Sequence, residues 1–211
     1  MGNRKHPFRT GNFYHIFNRG VEKRLIFMDA SHYQEFLERL AFYQQERQPI
    51  KFSKSGFYFE ERHEPFRFEI IAYALMPNHF HLLIQALSDE GVPKSLAQFL
   101  NSYTKYFNTR HLRVGPLFQG VYQSVYIESD EQLIQEFRYI LLNPYTAKLE
   151  DRFGDYPWTS YREIGSPNTT LTNPEIILQF FNNDFQTITP FLTDYASYAR
   201  ELNEIKHLTI D

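Results

Sequence analysis

Met76-Pro77-Asn78-His79-Phe80-His81-Leu82-Leu83-Ile84 sets two histidines two residues apart in an apolar run that leaves a Pro-Asn turn signal. Side chains of a strand alternate between faces, so His79 and His81 share one face of a sheet and Phe80 takes the other. Such a pair is either two metal ligands or the polar face of a partly exposed strand that holds two of the chain's 8 histidines. A third donor would separate these readings. Upstream, residues 68–74 are strongly apolar, and with residues 79–87 they predict an antiparallel hairpin about Pro77-Asn78, with the histidines opening its second arm.

Working outward, residues 13–17 read as a first strand ended by Asn18-Arg19-Gly20, a turn-prone triplet that brings Arg19 close to Lys23 and Arg24. These three cations form either a solvated basic loop or a phosphate clamp, for which the planar fork of arginine is suited. Asp29 can cap a helix running to about Gln45, with Phe36, Leu37, Leu40 and Tyr43 on one buried face. Residues 49–65 turn polar and predict a long loop or exposed hairpin insertion. A second helix is expected to open near Ser95, burying Leu96, Phe99, Leu100, Tyr103 and Phe107 and turning Gln98, Asn101, Lys105 and Arg110 outward. Arg113 lies in the Gly-Pro loop beyond it.

A strand over residues 121–127 follows, then a third helix with Ser129 or Asp130 as cap and Leu133, Ile134, Phe137, Ile140 and Leu141 as its apolar stripe. Asn143-Pro144 is expected to stop or kink it, because a residue before proline is pushed out of the helical region. The order predicts an α+β fold, a ferredoxin-like split βαβ antiparallel sheet with helices on one face, an extra tyrosine-bearing helix and a short helical C-terminal extension. Residues 1–165 form the main domain in this reading. Residues 166–211 form the extension, a polar linker and two short amphipathic helices near residues 174–181 and 184–201.

The 211 residues suffice for a substantial core, and aromatics supply 18% of them, 21 Phe and 15 Tyr. With no cysteine, disulfides and thiolate-bound zinc are excluded, so a metal must be held by His, Asn, Gln, Asp or Glu. No apolar run approaches the roughly 18 residues of a membrane span, which predicts a cytoplasmic protein with no membrane partner. The net charge of −3 argues against a simple nucleic-acid-coating protein. It hides a gradient, however: residues 1–125 carry +5 and residues 126–211 carry −8. The front of the chain is thus suited to phosphates.

Tyr139 and Asn143 stand one helical turn apart, beside the apolar stripe of the third helix. A helix after the last strand can cross the sheet face that bears His79 and His81. An asparagine at its end could then complete a His, His, amide-oxygen site with a phenol beside it. A divalent cation on a phosphodiester oxygen neutralises charge that builds in the transition state, and a tyrosinate can attack phosphorus in line. A free phenol has a pKa near 10, so at neutral pH it needs proton removal or a cation beside it. Tyr103 and Tyr106 on the second helix are rival tyrosines, and Asn143 could equally serve as a helix terminator.

Pro77-Asn78-His79-Phe80-His81 resembles the His-hydrophobic-His motif of the HUH single-tyrosine transposases, and Tyr139-Ile140-Leu141-Leu142-Asn143-Pro144 resembles their tyrosine helix. The Asn-Pro ending is similar to the branch associated with repetitive extragenic palindromes (REP-associated tyrosine transposases). The resemblance extends over Phe17-Asn18-Arg19-Gly20, residues 115–122 and Tyr156-Pro157-Trp158, spanning roughly residues 13–165. It implies a metal-dependent endonuclease and strand transferase acting on single-stranded DNA with folded hairpins, through a 5′-phosphotyrosine and a free 3′-hydroxyl. By position it assigns His79 and His81 as imidazole ligands, Asn143 as third ligand where other branches carry glutamine, and Tyr139 as nucleophile. It favours Mg2+ or Mn2+, where ligand softness alone leaves zinc, nickel or manganese open. A nucleoid-associated location fits that substrate. Some members exchange tyrosine helices between subunits, so a homodimer is a possible assembly. Arg19, Lys23, Arg24, Lys105, Arg110 and Arg113 are the candidate DNA contacts, with Phe118 and Trp158 as candidate stacking partners. Two other readings use the same residues: a non-catalytic binder of hairpin DNA or RNA, and a phosphoesterase that activates water.

Overall fold

Strong β formers on either side of Pro77-Asn78 build the central hairpin, β2 (Phe68–Met76) and β3 (His79–Ala86). The computed structural model of the chain describes residues 7–46, 52, 65–166 and 171–208, and the predicted insertion at residues 49–65 lies outside them apart from Phe52 and Pro65. Two further strands, β1 (Phe13–Arg19) and β4 (Gln123–Ile127), complete an antiparallel sheet in the order β2-β3-β1-β4. This is the ferredoxin-like arrangement that the element order predicts. Strand β1 runs on through Asn18 and Arg19, so Arg19 is a strand residue opposite His79 rather than part of the following loop.

Helices α1 (Ala30–Gln44) and α2 (Gly91–Arg110) cover one face. There Phe36, Leu40, Phe99 and Tyr103 bury themselves against Tyr14, Ile16, Phe80 and Leu82. Asp29 caps α1 as expected, its carboxylate accepting from the backbone N–H groups of Ser31 and His32. Helix α2 opens at Gly91, a turn earlier than the sequence suggested, because Pro93 sits in the first turn, where no backbone N–H is needed.

The opposite face is covered by α3 (Asp130–Thr146), whose Leu133, Phe137, Ile140 and Leu141 pack with Ile71, Ala72, Ala74 and Leu83 of the sheet. A bulge between Ile70 and Ala72 turns both Ile71 and Ala72 toward this layer. Contrary to expectation, α3 passes through Asn143-Pro144 and ends at Thr146, with Ala147 N–H returning to the Asn143 carbonyl. Both Asn143 and Pro144 are buried, and packing holds the helix across the hydrogen bond that proline cannot make.

Beyond α3 come α4 (Tyr161–Ile164), α5 (Glu175–Leu178) and α6 (Ile188–Leu208). Helix α6 begins and ends later than the helix expected over residues 184–201, and runs for 21 residues. Ile177, Ile188 and Leu192 enter the same apolar cluster as α3 and the sheet. The free edge of β2 is closed by Trp158–Ser160 and Asn173: Leu75 N–H donates to the Trp158 carbonyl, Ser160 N–H to that of Tyr73, and Asn173 N–H to that of Ile70. None of the helices is long and apolar enough to cross a membrane, among the described residues.

Candidate active site

Register decides which side chains meet. Phe17 lies opposite His81 and Arg19 opposite His79, so His15, Phe17 and Arg19 of β1 share the face of both β3 histidines. The apolar stripe of α3 seats the helix on this face, and the neighbouring stripe, Glu136, Tyr139 and Asn143 at i, i+3 and i+7, therefore runs beside the histidines. The Tyr139 ring stands edge-on to His81, with centroids 5.6 Å apart, and 6.0 Å from His15. Half of it, 51%, stays open to solvent. Asn143 is buried, its Nδ2 lies 3.5 Å from His81 Nε2, and its amide also bonds His79 and Tyr139.

Each histidine has its Nδ1 tied to a neighbour. Nδ1 of His79 is 2.6 Å from Asn78 Oδ1, an atom that only accepts, so Nδ1 carries the proton and Nε2 keeps its lone pair. Nδ1 of His81 lies 2.8 Å from Nε2 of His15. On the far side of His15, Nδ1 approaches Oε2 of Glu136 at 3.1 Å. Burial pulls the pKa of His79 down to about 4, the Arg19 guanidinium adds to this, and the Asn143 bond opposes it. Burial likewise holds His81 well below the usual histidine value, reinforced by His15, His79 and Arg19. Both rings are therefore neutral at pH 7, the form that binds a metal.

No three or more His, Cys, Asp or Glu side chains are grouped to hold a metal, among the described residues. A third protein donor must be of another kind, and the Asn143 amide is at hand. Two neutral imidazoles and an amide oxygen fit a divalent cation of the first transition row better than magnesium, which favours oxygen ligands throughout. The Tyr139 phenol is shifted upward, mainly by burial, with the Asn143 hydrogen bond opposing and the Glu136 carboxylate adding to the rise. Without a cation it stays protonated at neutral pH.

The structure divides the predicted DNA contacts. Arg19 is exposed beside the histidines, and Lys23 is exposed in the turn after β1, where its carbonyl accepts from Asn78 Nδ2. Arg24 folds back on the Val21 carbonyl and Glu22. Arg113 is held by Asn108 and the Pro116 carbonyl. Lys105 and Arg110 ride on α2, in the layer across the sheet from the histidines, and Arg110 is bound to Asp29 and Tyr106. Phe118 is a core residue packed on Phe80 and Tyr103, not an exposed stacking platform. Trp158 is partly exposed and lies flat on Tyr33, with centroids 4.4 Å apart and planes at 7°. The rival tyrosine Tyr103 is fully buried, its hydroxyl donating to the Ile26 carbonyl.

Two residues of the site escape a reading of motifs alone, His15 and Glu136. The available signals were the shared parity of His15 with Arg19 in β1, and the position of Glu136 three residues before Tyr139 and seven before Asn143.

The family model described as "Transposase IS200 like" matches residues 52–141, a stretch that holds His79, His81 and Tyr139. No curated protein matches the sequence. Among solved structures, a REP-associated tyrosine transposase bound to a REP hairpin superposes with a TM-score of 0.55 at 15% identity, over 82% of this chain and 93% of that one. A protein of Deinococcus radiodurans R1 assigned as a transposase gives a TM-score of 0.38 at 18% identity, over 66% of this chain and 95% of that one. The resemblance to single-tyrosine transposases read from the sequence agrees with this transposase match, which covers the stretch that carries both histidines and the tyrosine, and the first of these structures shares the fold.

Proposed function

We propose, from the IS200-like transposase match over residues 52–141, that this chain is a metal-dependent single-stranded DNA endonuclease and strand transferase that works on hairpin-containing DNA through Tyr139. The observation that carries the reading is the meeting of Tyr139, His79, His81 and Asn143 on one sheet face, from two elements far apart in sequence.

In this reading Oη of Tyr139 attacks the phosphorus of a phosphodiester. The bond to the 3′ oxygen breaks, a 5′-phosphotyrosine forms, and the departing 3′ oxygen takes up a proton to become a hydroxyl. Attack of a 3′-hydroxyl on that phosphotyrosine restores the phenol and joins two strands. His79 and His81, through Nε2, and Asn143, through its amide oxygen, would hold Mn2+ or Mg2+. When bound, the cation supplies charge neutralisation at a non-bridging phosphate oxygen and favours the tyrosinate. The open half of the Tyr139 ring lets a strand approach. Arg19 and Lys23 supply exposed positive charge at the rim, and Arg24 and Arg113 are further cations that phosphates could meet. Single-stranded DNA is the partner, with action at the nucleoid, and Lys105 and Arg110 would meet only DNA that reaches around the α2 side.

The test is an SDS-gel assay of the full chain with labelled single-stranded hairpin oligonucleotides, with Mn2+ or chelator, beside Tyr139→Phe. A Mn2+-dependent covalent band that Tyr139→Phe lacks is expected. Metal-dependent cleavage that survives Tyr139→Phe without a protein–DNA adduct would replace the reading with a water-using phosphoesterase. Hairpin binding that neither metal nor Tyr139→Phe alters, with no cleavage, would replace it with a non-catalytic binder.

A further inference from the structure

Behind His81 a buried polar chain continues to the tyrosine helix: His81 Nδ1 to His15 Nε2 at 2.8 Å, and His15 Nδ1 to Glu136 Oε2 at 3.1 Å. His15 and His81 are each 6% exposed, so water is a poor substitute partner for their ring nitrogens. Oε2 of Glu136 is itself buried and meets no aligned donor, which leaves a carboxylate oxygen facing the His15 N–H position at ion-pair range.

The chain has a direction. A carboxylate only accepts, so Glu136 favours a proton on Nδ1 of His15, and where that is the ring's single proton Nε2 of His15 is an acceptor. Nδ1 of His81 must donate to it, which leaves the lone pair of His81 on Nε2. The Asn143 contact agrees, since it brings Nδ2, a donor, to that same Nε2. Were the chain reversed, His81 would carry its proton on Nε2 and present no lone pair to the site. Asn78 does for His79 in one step what His15 and Glu136 do for His81 in two.

We infer that His15 and Glu136 are positioning residues that fix His81 in the Nδ1–H tautomer and so keep its Nε2 lone pair turned into the site. The use made of that lone pair, cation binding, rests on the reading under Proposed function; the tautomer itself does not. Glu136 belongs to the polar stripe of Tyr139 and Asn143, so the helix that brings the tyrosine also sets the protonation pattern of the histidine beside it.

The test reads tautomer and metal separately. Long-range 1H–15N spectra of the imidazole rings in the full-length, metal-free chain at pH 7.5 are expected to show His81 protonated on Nδ1, with a shift toward Nε2–H in Glu136→Met and in His15→Leu. Mn2+ titration followed by EPR, without DNA, is expected to show roughly 10- to 100-fold weaker binding in both variants, the usual cost of losing an outer partner of a metal-bound histidine. Glu136→Met removes the accepting oxygens at similar side-chain length on a partly exposed helix face and guards against a His15→Leu variant that fails to fold. A wild-type His81 carrying its proton on Nε2 overturns the inference, as does an unchanged tautomer in folded Glu136→Met and His15→Leu. Expected tautomer shifts in a protein that binds no Mn2+ would support the positioning role while removing the metal reading of the site.

Discussion

Keeping His79 and His81 neutral costs the fold something, and that cost has a pH signature. The unfolded chain titrates these rings near the ordinary value of about 6.5, whereas burial, with Arg19 adding to it, brings His79 to about 4, and burial, with His15 and His79 adding to it, holds His81 well below the ordinary value. Between those values the unfolded state binds protons that the folded state refuses, so stability falls as pH drops from about 6.5 toward 4. The slope is at most about 1.4 kcal/mol per pH unit for each histidine. Urea denaturation in EDTA across that range is expected to show the decline, and His79→Asn to flatten it. Asp29 and Asp89 are held below the usual carboxylate range chiefly by hydrogen bonds from Ser31 and Arg9, and they weaken the fold only below that window. At this scale the sequence was informative where chemistry leaves a spacing, in His79 with His81 and in Tyr139 with Asn143. His15 carries no such mark: its role depends on a strand register that pairs it with Leu83, one step along from His81, and registers are set by the whole sheet.

Helix α3 transmits most of the site's geometry. Its first turn is secured by Ser129, whose hydroxyl accepts from Gln132 N–H, while the Gln132 side chain accepts from Glu128 N–H. Ser129→Ala is expected to lower stability by about 1 kcal/mol, read as a shift of the urea midpoint with little change in slope. The helix was legible from its apolar spacing, but its end was not. A proline restricts the residue before it, and local preference argues for a break at Asn143. Burial of both Asn143 and Pro144 overrides that preference and keeps Asn143 in helical phase with Tyr139. A similar difference explains α2, whose Gly-Val-Pro opening reads as a loop until it is seen as a first turn with no N–H to satisfy.

Across the molecule, the charge gradient along the chain does not map onto two separate bodies. The acidic rear contributes Tyr139, Asn143 and Glu136 to a site whose histidines and Arg19 come from the basic front. The C-terminal helices share that closure, since Ile177, Ile188 and Leu192 are fully buried in the cluster beneath α3. Leu192→Ala is therefore expected to destabilise the protein by about 2–5 kcal/mol in a single cooperative melt, with circular dichroism and Trp158 fluorescence changing together. Periodicity marked these segments as amphipathic, but it could not say which surface their apolar faces would meet.

The packing of α6 on α3 bears on kinetics. Arg138 lies over the rings of Phe191 and Tyr195, at 4.9 and 3.9 Å, and Arg200 lies over Tyr145 at 4.5 Å. The tyrosine helix is thus strapped onto its own sheet, and handing it to a second subunit would require peeling away that strap with its buried leucine. If Tyr139 and the histidines react as proposed, each chain holds a complete set of reacting groups, and the rate per molecule is expected to stay constant on dilution.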